Sequence, residues 1–498
     1  MKKLKNILIA ACFVSVLSCD DYTDINNSPN NPSEENVTPE LILSAAIVQP
    51  YRTFVTTANE LGNVWTDAWA GNVNNITGAY SPEYSLQMST SFRQGIWNNF
   101  FLYTANLTNI INYDSEDYND HKAISKIMKV YYFQYLVDLY GDIPYTEAHN
   151  ASILTPVYDD DMAVYRDLYV QLDEAIALIN GEHPVTTLNV GAEDPVFAGD
   201  MAQWEAFANT LKLRLLIRES ELAETNGESD AYLTSKFAEL SSATFVTSDV
   251  VINPGFTNVL NRQNPFFGAF GEDVSGNFAA GFNLVRATDN IVDLLQTSND
   301  LRLTRLFAED AAGSGTYTGV RQGETDPNVV PDDLSPLGPG LVISSEQDGY
   351  LMLGAESFFL QSEAVFRGRL TGDAQALFNQ GITASYVNLG LSAAEATTYI
   401  ANSDLDPGVG WSATADKLEA IITQKWIANI GTNGIESYIE YTRTGYPVTQ
   451  VSLLAITPTG DLPKRLLYPA TEYSGNTANV PALTLAQTFT QGPFWYVP

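Results

Sequence analysis

Residues 119–140 read NDHKAISKIMKVYYFQYLVDLY, and within them Ile124, Ile127, Met128, Tyr131, Tyr132, Tyr135, Leu136 and Leu139 recur at helical spacing. No Gly or Pro interrupts the run. The apolar face is wider than one neighbouring helix covers, so the stretch predicts a helix packed on more than one side. Working outward, residues 40–60 and 92–112 upstream carry similar patterns, as do 163–180, 202–223, 350–368, 373–389 and 414–430 downstream. Most are paired across short connections, which predicts helix pairs stacked into a solenoid.

Between Leu360 and Ser385, the small residues Ala364, Ala374 and Ala376 alternate with the aromatics Phe366 and Phe378. That arrangement is loosely like the small-against-large packing of tetratricopeptide repeats. Gly, Pro, Asn and Thr dominate 182–200, 245–283 and 310–350, which read as long irregular insertions. Long ordered loops on a helical scaffold commonly carry function. The expected class is therefore mainly α, a tetratricopeptide-like helical-repeat scaffold with long loop insertions and minor β.

The chain has 498 residues, with 59 Asp and Glu against 25 Lys and Arg, a formal charge of −34. A phosphate-backbone binder needs a clustered basic surface, so nucleic acid is excluded as a partner. With 45% apolar and 11% aromatic residues, the chain can bury a core large enough to offset its folding entropy.

At the N-terminus, Lys2, Lys3 and Lys5 precede the apolar stretch from Ile7 to Leu17, which is too short to span a bilayer. It reads as a signal peptide over 1–18. Its end, Val16-Leu17-Ser18-Cys19, resembles the lipobox of bacterial lipoproteins, in which the cysteine is lipidated and becomes the mature N-terminus. Cys19 is thus the expected lipid anchor. Residues 19–38, rich in Asn, Pro and Asp, read as a flexible tether, and 39–498 as a single binding domain. Cys12 would leave with the signal peptide, so no intrachain disulfide is expected.

Further motifs carry a family resemblance. Leu139-Tyr140-Gly141-Asp142-Ile143-Pro144-Tyr145 resembles the stretch that ends an early helix in SusD/RagB-type nutrient-binding lipoproteins. Phe207 to Arg218, Asp300-Leu301-Arg302-Leu303, Gln424 to Ala428 with Tyr441 to Pro447, and Leu462 to Pro469 with Glu472-Tyr473 are similar to later motifs of that family, in order. Thr442 and Ser437-Tyr438 depart from its common pattern and put only local contacts in doubt. The resemblance implies a SusD-like lipoprotein on the external face of the outer membrane. It would capture oligosaccharides non-covalently and deliver them to a SusC-type TonB-dependent outer-membrane barrel. Peptides are the alternative ligand, and a surface glycan-degrading enzyme is a more distant rival.

The motifs mark the scaffold more than a ligand. Gly141 suits a left-handed helix end, and Arg214, Arg218, Arg443 and Arg465 suit buried ion pairs or carbonyl-capping roles. His121, His149 and His183 stand alone, without metal-ligand spacing, and read as solvated or capping. Asp159-Asp160-Asp161 reads as a solvated acidic turn because it lacks the alternating ligands of a calcium loop. No catalytic residue, metal or cofactor is expected.

A sugar site wants flat aromatics for stacking and amides for hydrogen bonds. Trp65, Trp69, Asn72, Asn74, Asn75, Tyr80 and Tyr84 provide that set in one Gly- and Asn-punctuated stretch between helices. The i, i+4 spacing of Trp65 and Trp69 also fits one buried helix face, so both readings stand. Phe266, Phe267 and Phe270, with Asn264, Phe278 and Phe282, form a second cluster suited to packing or to an apolar peptide, and offer possible secondary contacts.

Overall fold

The computed structural model describes residues 37–71, 78 and 80–498. The expected signal peptide, Cys19 and most of the tether lie outside the described residues.

The longer helices follow the pattern read from the sequence. α1 (Pro39–Thr53) continues through a π turn at Phe54–Ala58 into α2 (Asn59–Trp65). α3 (Gly95–Ile111), α4 (Asn119–Tyr140), α5 (Asp161–Asn180) and α6 (Met201–Arg218) build the first half. α7 (Gly227–Glu239) and α8 (Asp289–Thr297) lead to α9 (Gly354–Phe366), α10 (Ala374–Asn388) and α11 (Ala393–Ser403). α12 (Lys417–Asn429) and α13 (Gly434–Thr444) follow.

The acid-rich composition serves the helix starts. Asp160, Asp200, Asn226, Thr288, Asp373, Ser392 and Asp416 each accept backbone N–H groups at the first turn of a helix. Each such cap satisfies donors that the helix itself leaves unpaired.

α4 is packed on several sides, as its wide apolar face predicts. It lies against α1, α3, α5 and α6, and its eight pattern residues are all buried. Consecutive helices pack as pairs: α3 on α4, α5 on α6, α9 on α10, α10 on α11, and α12 on α13. The structure is thus the mainly helical, repeat-like scaffold expected, and one core cluster runs from Leu43 to Trp495.

The minor β content among the described residues consists of four short strands: β1 (Trp69–Ala70), β2 (Val250–Ile252), β3 (Arg286–Ala287) and β4 (Gly349–Met352). β1 pairs with β3 and β2 with β4, both antiparallel. Each pair ties an insertion to a segment far away in sequence.

Four of these helices were not legible in the sequence, among them α8, whose 9 residues sit between two insertions. α7 and α11 are short and polar, and α13 hides its period because Glu436, Glu440 and Arg443 point inward. Gly141 ends α4 with a φ of 72°, and its N–H reaches Val137 O. An added Cβ there would meet the Arg465 guanidinium, so both φ and space require glycine.

The family arginines take the roles expected of them, with one exception. Arg218 binds Glu436 at 2.7 Å and Glu440 at 2.9 Å, and Lys425 bridges the same two carboxylates at 2.9 Å each. Arg443 binds Glu440 at 2.5 Å and Glu363 at 2.7 Å, while Arg214 binds Glu356 at 3.2 Å. Arg465 instead lies over the Tyr468 ring at 5.1 Å without a carboxylate partner among the described residues.

Burial opposes charge on Glu440, but Arg443, Lys425 and Arg218 outweigh it and hold the carboxyl well below the usual range. Removing one member of such a buried group leaves its partners unpaired in a medium that solvates them poorly. Glu440→Gln is therefore expected to cost about 3–5 kcal/mol in urea denaturation. Arg369→Ala, which breaks the exposed pair with Asp230, should cost no more than about 1 kcal/mol.

Candidate ligand-binding site

The β1–β3 ribbon is where the insertions meet. Trp69 pairs with Ala287 and Ala70 with Arg286. Residues of the 310–350 insertion dock on the same ribbon: the Val320 N–H donates to Ala287 O at 3.0 Å, and the Ala287 N–H donates to Ser335 O at 2.9 Å. The Gln322 amide donates to Val64 O at 2.6 Å and Trp69 O at 2.9 Å. Arg286 donates to Phe282 O, Val285 O and Pro331 O, so one guanidinium joins two insertions.

Aromatic rings fill the space beneath the ribbon. Trp69 is fully buried, with its ring 5.3 Å from Phe270 and 6.4 Å from Phe266. The two aromatic clusters singled out in the sequence therefore come together, but by packing on each other. Trp65 stacks on Phe92 at 5.8 Å and meets Tyr438 at 4.8 Å. The indole N–H groups of Trp65 and Trp69 find no hydrogen-bond partner among the described residues, as befits apolar surroundings.

The tyrosines are also anchors. Tyr84 Oη accepts the Gly71 N–H at 2.9 Å, and Tyr80 Oη donates to Glu60 at 3.1 Å. Both rings are buried. Phe266, Phe267 and Phe270 are covered as well. The structure thus buries Trp65, Trp69, Tyr80, Tyr84 and these phenylalanines, which is the packing alternative the sequence leaves open for the tryptophans and the phenylalanines. Burying such large apolar areas outweighs leaving them at the surface, and the i, i+4 pair is a core face. Asn72, Asn74 and Asn75 lie outside the described residues.

A more exposed aromatic surface near the ribbon belongs to Phe278, with half-buried Phe282 beside it. Their rings are parallel within 14° and 4.4 Å apart, and Phe278 is 59% exposed. The pair sits at the short helix Ala280–Leu284, immediately before β3. Gly71, the residue before Asn72, lies against Leu284 O. Exposed Asn283 flanks the step, and the Asn277 amide is held by Asp273 at 3.1 Å. A flat apolar face beside amides can stack a sugar ring and bond its hydroxyls. The i, i+4 spacing of Phe278 and Phe282 was visible in the sequence, whereas their exposure was not.

Asp67 was not visible as a site residue. It is buried in a left-handed conformation (φ 56°) beneath the ribbon. Thr288 Oγ1 donates to its carbonyl at 2.6 Å, the Gln450 N–H reaches Oδ2 at 3.3 Å, and Arg321 stands 3.9 Å away. Burial pushes its carboxyl up to about 7 despite Arg321.

The histidines differ from expectation at one position. His183 caps Ile179 O, but His121 is fully buried against Glu193 at 3.2 Å, and burial lowers its pKa. His149 bridges Thr108 and Phe101 O at 2.8 Å each. Asp160 and Asp161 do not form a simple solvated turn, since their carboxylates and that of Asp142 converge within 4.8 Å. Backbone N–H groups of Ala163, Phe494 and Asp161 already bond this trio, which accounts for its position as helix capping and loop anchoring.

The chain matches a family model described as starch-binding, associating with the outer membrane, over residues 29–469. No curated protein matches it. Among solved structures, a Bacteroidetes SusD-like protein is similar at 24% identity and a TM-score of 0.73, covering 93% of this chain and 100% of that one. A chitin-binding SusD homologue from Flavobacterium johnsoniae is similar at 23% identity and a TM-score of 0.71, covering 88% and 94%. A SusD homologue from Bacteroides fragilis is similar at 20% identity and a TM-score of 0.72, covering 92% and 99%. At these identities the likeness concerns the fold.

Asp67 makes the ribbon sensitive to pH. Because its folded pKa lies above the ordinary 3.8, the folded state binds more protons than the unfolded one between about pH 4 and 7. This group's contribution to stability therefore falls as pH rises through that window. Asp67→Asn keeps an acceptor for Gln450 and tolerates the left-handed backbone. Thermal denaturation from pH 4 to 8 should show the variant gaining on the parent chain as pH rises.

Proposed function

The chain belongs to the SusD-like family of starch-binding proteins that associate with the outer membrane, and from that premise we propose that it captures oligosaccharides non-covalently at the cell surface. The observation that carries this reading is the parallel Phe278–Phe282 step, with Phe278 exposed, beside the ribbon where two insertions meet. A pyranose ring presents an apolar face that such a step covers, and the hydroxyl edge then faces Asn283. Trp69 packs on Phe270 and pairs with Ala287, and Tyr84 bonds Gly71, so these two side chains brace the ribbon beside that step.

Attachment to the outer membrane through Cys19 and its lipid is part of this reading, in keeping with the family's description as associating with the outer membrane. A relative of the same fold is titled chitin-binding, which supports a glycan as the ligand class. In this reading the captured chain passes to a SusC-type TonB-dependent barrel, and the protein binds without turning its ligand over. An apolar peptide is the second reading, favoured by the phenylalanine character of the step.

Calorimetry with a panel of neutral oligosaccharides, including chitin and starch fragments, and a mixed peptide digest tests the proposal. At least one oligosaccharide is expected to bind, and Phe278→Ala with Phe282→Ala should weaken it by about tenfold or more. Both side chains sit at the surface, so the double variant should keep its circular dichroism. Binding confined to peptides would replace the ligand class, and oligosaccharide binding untouched by the double variant would move the site.

A further inference from the structure

A second cleft lies on the opposite character of surface, among the repeat helices and away from the β1–β3 ribbon. It measures ≈ 380 Å³ and opens between α3, α4, α5 and the turn at Tyr145–Thr146. That volume falls within the range of small-molecule sites. Thr108, Asn112, Thr146 and Gln171 contribute hydroxyl and amide groups to its walls, and Tyr145 contributes a ring.

The cleft contains a cation without a counter-ion. Lys129 Nζ lies 5.2 Å from the Phe133 ring centroid and 5.9 Å from that of Tyr145, and no carboxylate among the described residues pairs with it. The other charges of the cleft are already engaged. Lys126 binds Glu174 and Gln171 at 2.7 Å each, and Asp167 accepts the Tyr145 hydroxyl at 2.5 Å. α3 contributes no charged group to the lining.

Arg286, another cation without a carboxylate partner among the described residues, spends its donors on backbone carbonyls, whereas Lys129 lines an open cleft. Burial pulls Lys129 down to about 8, with Lys126 adding repulsion and Asp167 opposing it. The neighbouring His149 is lowered to about 4 by burial and by Lys129 itself. It stays neutral, so Nε2 donates to Phe101 O and Nδ1 accepts from Thr108. Lys129 therefore forms no ion pair of its own, and the Asp167 carboxylate, already bonded to the Tyr145 hydroxyl, offsets its charge only from a distance.

We propose that this cleft is a second ligand site, which takes a monosaccharide-sized carboxylate such as a hexuronate. The carboxylate pairs with Lys129, and the ring hydroxyls meet the Thr108, Asn112 and Thr146 side chains. An amino acid fits less well, since its ammonium needs a free carboxylate and both acids of the cleft are engaged. Capture here is independent of the phenylalanine step, so the two readings fail separately.

The test is calorimetry of the purified chain with D-glucuronate, D-glucose and inorganic phosphate as probes. Glucuronate is expected to bind about tenfold or more tighter than either other probe. Lys129→Gln should weaken glucuronate by about tenfold or more. Asn112→Asp, which places an opposing charge at an exposed position of the same cleft, should weaken it as well and covers the case in which Lys129→Gln does not fold. Raising the pH from 7 to 9.5 discharges Lys129 and should weaken binding about fivefold or more. The double phenylalanine variant should bind glucuronate unchanged. Equal affinity for glucuronate and glucose, absence of glucuronate binding, or binding unaffected by a folded Lys129 variant would overturn the site. Phosphate binding as tightly as glucuronate would overturn the sugar class.

Discussion

The scaffold depends on a group of charges that cannot be exposed one at a time. Arg218, Lys425 and Arg443 share Glu436, Glu440 and Glu363 in the space where α6, α9, α12 and α13 meet. Each ion costs several kcal/mol to remove from water, and only simultaneous pairing repays that. Aromatic faces close the group off, with Arg214 over Tyr131 and Tyr135 at 5.2 and 5.1 Å and Arg218 5.9 Å from Trp495. One turn of slippage in any of the four helices would leave a charge alone. The constraint is therefore on register more than on strength, and it ties the N-terminal repeat helices to the C-terminal ones. Glu356 shows the limit of the arrangement: burial and the nearby Glu436 raise its pKa even with Arg214 beside it.

Register in the scaffold sets the position of the ribbon. α2 crosses α13 so closely that a Cβ on Gly62 would fall 2.1 Å from the Gly434 backbone. Asn59 and Asn63 close the crossing by bonding Gly431 and Gly434. Gly62 cannot be replaced without separating the helices, because the obstructing atoms are backbone, and a side chain at Gly434 would displace Asn63 and press on the Asn59 carbonyl. α2 then delivers Trp65, Asp67 and Trp69 in succession, and Gln322 and Arg286 fasten the insertions to them. The chain of dependence runs from buried ion pairs to helix crossing to ribbon to exposed phenylalanine step.

How far this was legible follows from which physical signal each element carries. α4 has a strong apolar period, and α1, α3, α5, α6, α9, α10 and α12 have workable ones, so the scaffold could be read. α13 could not, because its inward face is Glu436, Glu440 and Arg443, and period analysis treats such residues as solvent-facing. The family motifs supplied what periodicity missed, since they include Arg218, Lys425 and Arg443 themselves. The ligand surface was less legible. Trp69 and Phe278 are equally aromatic and both sit near glycines, yet one is buried and the other is 59% exposed. What separates them is β1–β3 pairing across more than two hundred residues, and no local pattern encodes that partner. Asp67 had no sequence signal at all, since its burial and left-handed backbone are products of the same pairing.

The distribution of charge adds a constraint on what such a surface can hold. The net −34 lies mainly on the outside, where Asp and Glu cap helices, while many of the cations are turned inward. A neutral sugar meets no electrostatic barrier on approach, and stacking on Phe278 requires none to be overcome. An anion feels the repulsion of that surface only within about one screening length, ~8 Å at physiological salt. Inside that distance a desolvated, unpaired ammonium outweighs the distant field, because its charge is poorly screened in a recess. A molecule of this charge therefore discriminates twice. It slows anions by its overall field, and it can retain only those that reach a cation it has left uncompensated. Lys129 meets that description because, unlike Arg218, Lys425 and Arg443, it lines a cleft and has no carboxylate partner among the described residues.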